Sequence, residues 1–371
     1  MYFAPGNDEF SLERSGNARA PSAPMHEGKT CAMEVRIRPS TPDDEPAIVA
    51  LMRNAGLNPD AVEGWLKWKY WQERLDWPGA RSFVVASESE IFAHSGIVPG
   101  ICIWNNHRAT VIHMIDWAAS RGMVGAGVAI MKHIRGLADA LIGVGGSQYT
   151  RQAFRVFGVR PCGTTTLYVR ALHPLLGLKD RAHWNWKTLP KLGRDALWAL
   201  WAPTVHCDGW HAPRIAREQL QSIASVLPSA RADMTVLERS IASLTYFLDC
   251  PIAPMVLHAL EKDGKRRGYF LLAFAAEQAR LVDCWVDSED PGDWRAMLNC
   301  AVHVALQTPG IAELATLASD PILAQCALES GFRAKWTEAV HILPKPESAS
   351  IPTNLRFQML DSDAAYLQTL G

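Results

Sequence analysis

The sequence predicts an α/β protein in which two mixed β-sheets, each flanked by helices, are arranged in tandem. Segments with strand and helix patterns alternate along the chain, which is typical of helices packed on a partly parallel sheet. Similar series of segments occur twice. Pro78 and Pro251 are 173 residues apart, as are Gly158 and Gly331. Because two landmarks keep one offset, we predict two copies of one fold.

These landmarks divide the chain into five parts. We expect a disordered extension at 1–33, a first copy at 34–172, a Trp-rich helical connector at 173–204, a second copy at 205–346 and a C-terminal tail at 347–371. The extension is rich in Gly, Pro, Ser and charged residues, which favours disorder. It also lacks the apolar core of a secretory signal.

The first copy begins with a strand at 34–39. The helix predicted at 40–56 starts with Ser, Thr and Asp residues and ends at a glycine. Three strands follow, each with β-branched and aromatic residues between turn signals, at 82–87, 91–103 and 108–119.

The rest of the first copy alternates helix and strand. Helical spacing of apolar residues and short apolar runs predict, in order, a helix, a strand, a helix and a strand at 127–140, 141–146, 149–158 and 164–170. Hairpins give antiparallel pairs and helical crossovers give parallel pairs, so the predicted sheet is mixed.

Composition disfavours several functional classes. The formal net charge is −1, whereas a broad nucleic-acid surface normally needs a basic excess. We find no apolar run of membrane-spanning length and no spacing typical of a metal site. The eight cysteines include no C-x-x-C pair, so we interpret them as reduced, mostly buried thiols of a cytoplasmic protein.

The segment from Ser120 to Gly127 reads SRGMVGAG and lies between a strand and a helix. Glycine lets a backbone approach a ligand closely, and the first N–H groups of a helix have no intrahelical partners. Both features suit a pyrophosphate. A dinucleotide fingerprint does not fit, because Ile130 stands where its last glycine is needed. From these residues alone, a plain structural turn is an equal alternative.

The order of elements in the first copy resembles the GNAT superfamily of acyl-CoA-dependent N-acyltransferases. In that family the loop reads Gln/Arg-x-x-Gly-x-Gly/Ala, and its amides hold the coenzyme A pyrophosphate. The glycines of 122–127 match this spacing, and Arg121 lies one residue before the Gln/Arg position. The resemblance implies acetyl-CoA or another acyl-CoA as co-substrate. It also implies a phosphate site made by Arg121, Gly122, Met123, Val124, Gly125, Ala126 and Gly127.

The resemblance further implies that strand 108–119 diverges from strand 141–146. The gap would hold the pantetheine arm against the backbone around Asp116, Trp117 and Ala118, and a backbone N–H would polarise the thioester carbonyl. In the second copy the segment at the 173-residue offset is 293–300, which contains no glycine and follows an acidic stretch. We therefore expect the second copy to lack a coenzyme site.

Direct acyl transfer to an amine needs a base for the amine and an acid for the leaving thiolate. Asp116 is the first candidate base, and a structural role as a turn ligand is an equal alternative. His113 is a second candidate, with a satisfied sheet histidine as the favoured interpretation, and His94 is a third. Strand alternation predicts that Asp116 and His113 lie on opposite faces. Because Phe154 stands where the family often has tyrosine, Tyr149 is the candidate acid, with an aromatic residue packed on the sheet at the start of the helix as the favoured interpretation.

Together these observations predict a cytoplasmic N-acyltransferase, most simply an N-acetyltransferase, that works by direct transfer in a ternary complex. The acceptor would be the amine of a small molecule, a sugar or a peptide, and no nucleic acid, metal or membrane span is expected. A non-catalytic binding or scaffold protein with the same fold is one alternative. Another is FemAB-type aminoacyl transfer from charged tRNA, which the near-neutral charge disfavours.

Overall fold

The computed structural model describes residues 34–57, 59, 64–104, 107–146, 148–178, 188–230, 234–345 and 354–367. The extension predicted at 1–33 lies outside these residues. All seven cysteines of the described part are free thiols, and six of them are buried. Within the described ranges, every helix is too short or too polar to cross a bilayer.

Seven α-helices lie in the described part of the chain. Their bounds are α1 Glu45–Asn54, α2 Ala126–Arg135, α3 Gln148–Val156, α4 Thr188–Trp201, α5 Ile241–Leu248, α6 Pro291–Gln307 and α7 Pro321–Glu329. A π-helical turn at Lys67–Trp71 and short 3-10 turns in the tail, at Met359–Asp361 and Asp363–Ala365, also matter for the site. Helix α2 ends earlier than predicted, because Gly136 follows its last residue.

Fourteen strands are described. Six belong to the first copy: β1 Arg36–Pro39, β2 Ser82–Ala86, β3 Ile91–Trp104, β4 His107–Ala119, β5 Ala140–Val144 and β6 Arg160–Ala171. The others are β7 Trp210–His211, β8 Thr235–Leu237, β9 Met255–Lys262, β10 Lys265–Ala275, β11 Gln278–Val286, β12 Glu313–Ala318, β13 Arg333–Pro344 and β14 Leu355–Arg356.

The internal repeat is visible in the element order. Four pairs of elements begin 173 residues apart: β2 and β9, β5 and β12, α3 and α7, and β6 and β13. The offset between the two sequence landmarks therefore recurs in secondary structure. The exact boundaries of the two copies stay a prediction.

The two predicted sheets are joined into one mixed sheet. Twelve of its strands follow the order β1-β2-β3-β4-β5-β13-β6-β12-β11-β10-β9-β7. Strand β13, from the end of the second copy, pairs antiparallel with β5 of the first copy. Strand β6 of the first copy pairs with β12 of the second. Each copy thus completes its sheet with the last strand of the other.

Different elements cover the two faces of the first copy. On one face, α2 packs through Ile130 and Ile134 against Ile112 of β4 and Leu141 of β5. We call this the α2 face. On the opposite face, residues 354–367 of the tail fold back so that almost all their side chains are buried. His113 of β4 contacts this tail, so we call the second surface the tail face.

Candidate active site

Strands β4 and β5 pair over a short distance and then diverge. Their parallel ladder runs from Val111 opposite Ala140 to His113 opposite Ile142. Strand β4 continues to Ala119 and β5 to Val144, and a first cavity of about 200 Å³ lies at the divergence. Its lining includes Asp116, Trp117, Gly143, Phe154, Trp65 and Asp363. The structure thus contains the gap that the sequence predicts.

A β-bulge lies on β4 at the edge of this gap. Ala118 is opposite His94 and Ile115 is opposite Gly96, so Asp116 and Trp117 together face one residue of β3. Asp116 adopts a positive φ of 50°. The extra residue breaks the alternation of side chains, and the prediction that Asp116 and His113 lie on opposite faces is wrong. Both lie on the tail face.

Polar contacts hold the bulge from the tail face. The Asp116 carboxylate accepts a hydrogen bond from the Tyr70 hydroxyl at 2.5 Å and lies 2.5 Å from the Lys69 ammonium. The Asp116 carbonyl is 3.1 Å from Nδ1 of His94. Because a carbonyl can only accept, Nδ1 carries the hydrogen, and Nε2 accepts from the Ser82 hydroxyl at 2.9 Å. Burial lowers the pKa of His94 to about 4, so the ring is neutral.

The bulge also orients the backbone of Trp117. In a trans peptide the carbonyl of one residue and the N–H of the next point in opposite directions. The Asp116 carbonyl points to the side-chain Nδ1 of His94, so the N–H of Trp117 points away from that imidazole. Trp117 lines the first cavity, and its backbone N–H is therefore the candidate for the predicted carbonyl donor.

The second copy has an equivalent gap, and the tail fills it. Its ladder begins with Gln278 of β11 opposite Glu313 of β12, so Cys284 corresponds to Trp117. The N–H of Cys284 donates to Oε1 of Gln358 at 3.0 Å. A few residues away, the Phe357 N–H donates to the hydroxyl of Ser319, just after β12. In the second copy, an amide carbonyl of the chain itself occupies the position that stays open in the first.

The glycine segment connects β4 to α2. Gly125 is the N-cap residue of α2 and has a φ of 90°, in the left-handed region that favours glycine. Among the described residues, nothing lies within 4 Å of a Cβ built there. Val124 is 99% exposed, and Arg121 is exposed as well. The N-terminus of α2 is therefore open to solvent beside the gap, and its first N–H groups lack intrahelical partners.

The remaining residues of this segment pack inward. A Cβ on Gly127 would lie 3.2 Å from that of Ala119, so glycine allows α2 to approach β4 closely. The Trp117 indole N–H donates to the Gly127 carbonyl at 3.1 Å. Met123 and Ala126 pack on the α2 face, and Gly122 donates its N–H to the Ser120 hydroxyl. Ala118 packs toward α1 on the tail face, so its contribution to the gap is its backbone.

The corresponding segment of the second copy differs from the sequence prediction. When the two copies are aligned on their β4–β5 and β11–β12 ladders, residues 287–294, rather than 293–300, are equivalent to the glycine segment. The hairpin strands β10 and β11 have 11 and 9 residues, against 14 and 13 in β3 and β4, and this difference changes the offset at this point. Here Asp290 caps α6, and its carboxylate accepts from the Gly292 N–H at 2.8 Å. A carboxylate of the chain itself already occupies this helix N-terminus, which is consistent with the expectation that the second copy lacks a coenzyme site.

His113 stands at the last ladder pair, deep in the tail face. It is 5% exposed, and its Nδ1 lies 3.2 Å from the Asp361 carbonyl, so Nδ1 carries a hydrogen. Burial lowers the pKa of His113. Its Nε2 has no hydrogen-bond partner among the described residues. His113 is thus a buried imidazole in the wall of the first cavity, and its unpartnered Nε2 has almost no accessible surface.

The side chain of the predicted acid, Tyr149, lies outside the described residues, whereas that of Phe154 nearby is described. Both residues belong to α3. The ring of Phe154 lies against β5, where a Cβ on Gly143 would come within 2.4 Å of it. A phenyl group therefore occupies the place beside the gap where the family often has tyrosine.

Sequence reasoning missed the cation at the centre of the site. Lys69 is almost fully buried, with its ammonium 3.6 Å from Asp363 as well as 2.5 Å from Asp116. Three aromatic rings surround that ammonium at 4.7 to 5.7 Å, from Trp65, Tyr70 and Tyr366. The segment WLKWKYW at 65–71 signals aromatic packing, but no local pattern shows that the second lysine turns inward.

No family model matches the chain, and no curated protein matches its sequence. Solved structures do match. A probable N-acyltransferase from Enterococcus faecalis has a TM-score of 0.56 at 13% identity, over 84% of this chain and 72% of that one. A GCN5-related N-acetyltransferase from Anabaena variabilis has a TM-score of 0.52 at 10% identity, over 83% and 72%.

N-myristoyltransferase of Saccharomyces cerevisiae, solved with bound myristoyl-CoA, is similar at a TM-score of 0.55 and 9% identity. The match covers 84% of this chain and 79% of that one. At such identities the similarity shows the fold. The chain has the mixed α/β fold of the GNAT superfamily, as the sequence predicts.

Proposed function

We propose that the first copy transfers an acyl group from acyl-CoA to an amine acceptor. The observation that carries this proposal is the open gap between β4 and β5, with the Trp117 N–H on one wall and the N-terminus of α2 at one end. In the second copy the tail fills the equivalent gap. The open gap therefore occurs in the first copy, where a ligand could enter it.

The glycine segment would hold the pyrophosphate. The positive end of the α2 dipole and the first N–H groups of the helix favour an anion. Gly125 keeps this end free of side chains, and Arg121 is an exposed cation within the same segment. The pantetheine arm would then run along β4 toward the bulge, where backbone groups are free of ladder partners on the β5 side.

At the bulge, the Trp117 N–H would donate to the thioester carbonyl oxygen. The amine nitrogen attacks the carbonyl carbon, a C–N bond forms, and the C–S bond breaks to release the thiolate of coenzyme A. A fixed donor stabilises the oxygen as negative charge develops on it. In the second copy the Cys284 N–H donates to the side-chain amide oxygen of Gln358, which supports this role because a carbonyl oxygen is bound near the corresponding position.

His113 is better suited than Asp116 to accept the proton of the amine. The Asp116 carboxylate already binds Tyr70 and Lys69 and fixes the bulge. His113 has an Nε2 without a partner among the described residues, which would take the proton once the buried imidazole turns toward the first cavity. The thiolate would be protonated by solvent or by Tyr149, which stays a prediction. The acetyl group and the cytoplasmic location are likewise proposals.

Thiol release from acetyl-CoA across a panel of primary amines tests this function on the full chain. We expect amine-dependent turnover, with kcat/KM falling at least tenfold in His113→Gln and its acid limb lying below pH 6.5 because the pKa of His113 is lowered. His303→Gln, on the exposed surface of α6, is the matched control. Coenzyme A binding without turnover by any amine would favour the non-catalytic alternative, and absence of binding would exclude the proposal.

A further inference from the structure

A second cavity of about 340 Å³ lies next to the first on the tail face. Its lining comes from β3, β4, β8, α5 and the tail. Among the described residues, two line both cavities, namely His113 and Ile142. These two residues form the last ladder pair before β4 and β5 diverge. The two cavities therefore adjoin at the imidazole of His113.

We propose that this second cavity binds the acceptor, as a primary amine carried on an apolar body. The inference rests on the proposed function and deepens it, because it names the acceptor class for the same reaction. The volume is within the range of pockets that enclose small molecules, about 300 to 1,000 Å³.

The walls of the second cavity favour an apolar body. Six of its lining residues are apolar side chains from four elements and the tail, namely Val98, Ile101, Val111, Leu237, Phe247 and Leu360. Enclosing an apolar group against such walls removes apolar surface from water, which favours binding.

The charges of the lining are matched in pairs. Arg74 binds Asp76, Arg108 lies 2.6 Å from Glu238, and Arg239 lies 2.7 Å from Asp361. Since each arginine already has a carboxylate, the lining offers no charge excess to a strongly acidic or basic acceptor. The acceptor would be selected by shape and apolar contact, together with its single amine.

His113 supplies the position for that amine. A buried acceptor without a partner is unfavourable, and a ligand N–H can supply the missing hydrogen bond. Leu75 and the Arg108 side chain are 82% and 62% exposed, so they mark the mouth of the cavity, whereas His113 is at its buried end. An amine entering with its nitrogen first would approach the imidazole of His113, which would have to turn to present its buried Nε2.

Ala242 offers a way to fill the second cavity selectively. It is half-buried on α5 and lines the second cavity, whereas the first cavity is lined by other residues of the described chain. We would measure binding of 2-phenylethylamine to the full chain by calorimetry without acyl-CoA, and binding of coenzyme A separately. Ala196→Phe, at a half-buried alanine on α4, is the matched control.

We expect Ala242→Phe to raise the Kd for 2-phenylethylamine at least tenfold and to leave the Kd for coenzyme A within twofold. Ala196→Phe should leave both within twofold. In the wild type, 2-phenylethylamine should also shift the Cε1–H resonance of His113, assigned by its loss in His113→Gln. If Ala242→Phe unfolds, the smaller substitution Ala242→Leu replaces it in the same binding measurements.

Two results would overturn the acceptor cavity: 2-phenylethylamine fails to move the His113 resonance, or the Ala242 variants bind it as the wild type does. Neither depends on turnover. Failure of the proposed function would appear separately, as absence of coenzyme A binding in the wild type. Loss of coenzyme A binding in the Ala242 variants alone would also contradict the separation of the two cavities.

Discussion

The ammonium of Lys69 lies 2.5 Å from Oδ2 of Asp116, and both side chains are buried between the sheet and the tail. This ion pair connects three parts of the site. Lys69 belongs to the π-helical turn before β2, Asp116 is the bulge of β4, and Asp363 of the tail approaches the same ammonium. The pair therefore fixes the backbone that would polarise the thioester.

Replacing Lys69 with methionine should destabilise the fold. The change leaves Asp116 and Asp363 buried without their cation, and breaking one partner of a buried pair typically costs about 3 to 5 kcal/mol. Urea unfolding would show this loss as a lower midpoint. Lys67→Met is the control, because Lys67 is exposed two residues earlier in the same turn. Equal unfolding free energies for the two variants would show that the buried pair contributes little.

Replacing Gly125 with aspartate should weaken coenzyme A binding at least tenfold. The positive φ costs about 1 to 2 kcal/mol for a residue with a Cβ, and a carboxylate would lie where the pyrophosphate is expected. Gly125→Asn keeps most of the backbone cost without the charge and should have a smaller effect. Calorimetric titration with coenzyme A at one ionic strength measures both.

Gly310→Asp separates backbone strain from ligand binding. Gly310 has a φ of 82° and, like Gly125, open space around its Cβ position, but it lies after α6 in the second copy. It should lose similar stability and bind coenzyme A as the wild type does. If Gly125→Asp also binds normally, the glycine segment is only a turn.

Local patterns in the sequence predict the glycine segment, because strand ends, helix starts and glycines leave direct signals, whereas the gap is implied by the resemblance to the GNAT superfamily. The repeat also predicts the fold of the second copy. What the sequence does not show depends on contacts between distant residues. The exchange of β6 and β13 pairs residues 142 to 204 positions apart in the chain, from Glu313 with Ala171 to Pro344 with Ala140, and Gln358 reaches Cys284 from the tail. The bulge at Asp116 depends on Lys69, Tyr70 and His94, so alternation alone misplaces its side chain.

Lowering the pH should reduce stability through His94. Its folded pKa is about 4 and its ordinary value is 6.5, so between these values the unfolded chain binds a proton that the folded chain does not. The free energy of unfolding therefore decreases as the pH falls from 6.5 toward 4, by up to about 1.4 kcal/mol for each pH unit from this group. Above pH 6.5 the contribution is constant.

The variant His94→Asn isolates this effect in urea unfolding measured across the same pH range. An asparagine can keep a donor to the Asp116 carbonyl but does not titrate, so its stability should decrease less steeply with acid than that of the wild type. His303→Asn, on the exposed face of α6, should keep the wild-type slope. Parallel slopes in all three proteins would mean that His94 is not buried in its neutral form.

The chain should bind one coenzyme A. In the second copy, side chains of the chain itself occupy both the helix N-terminus and the strand N–H that would bind the coenzyme in the first copy. Asp290 caps α6 through the Gly292 N–H, and Gln358 occupies the N–H of Cys284. Asp290→Ala should cost about 1 kcal/mol through loss of the cap, and Asp287→Ala, an exposed neighbour with the same change in charge, should cost less. Both variants should keep a stoichiometry of one in calorimetry, because Gln358 still closes the gap. A second coenzyme A bound by Asp290→Ala would instead show that the carboxylate alone excludes the ligand from this half.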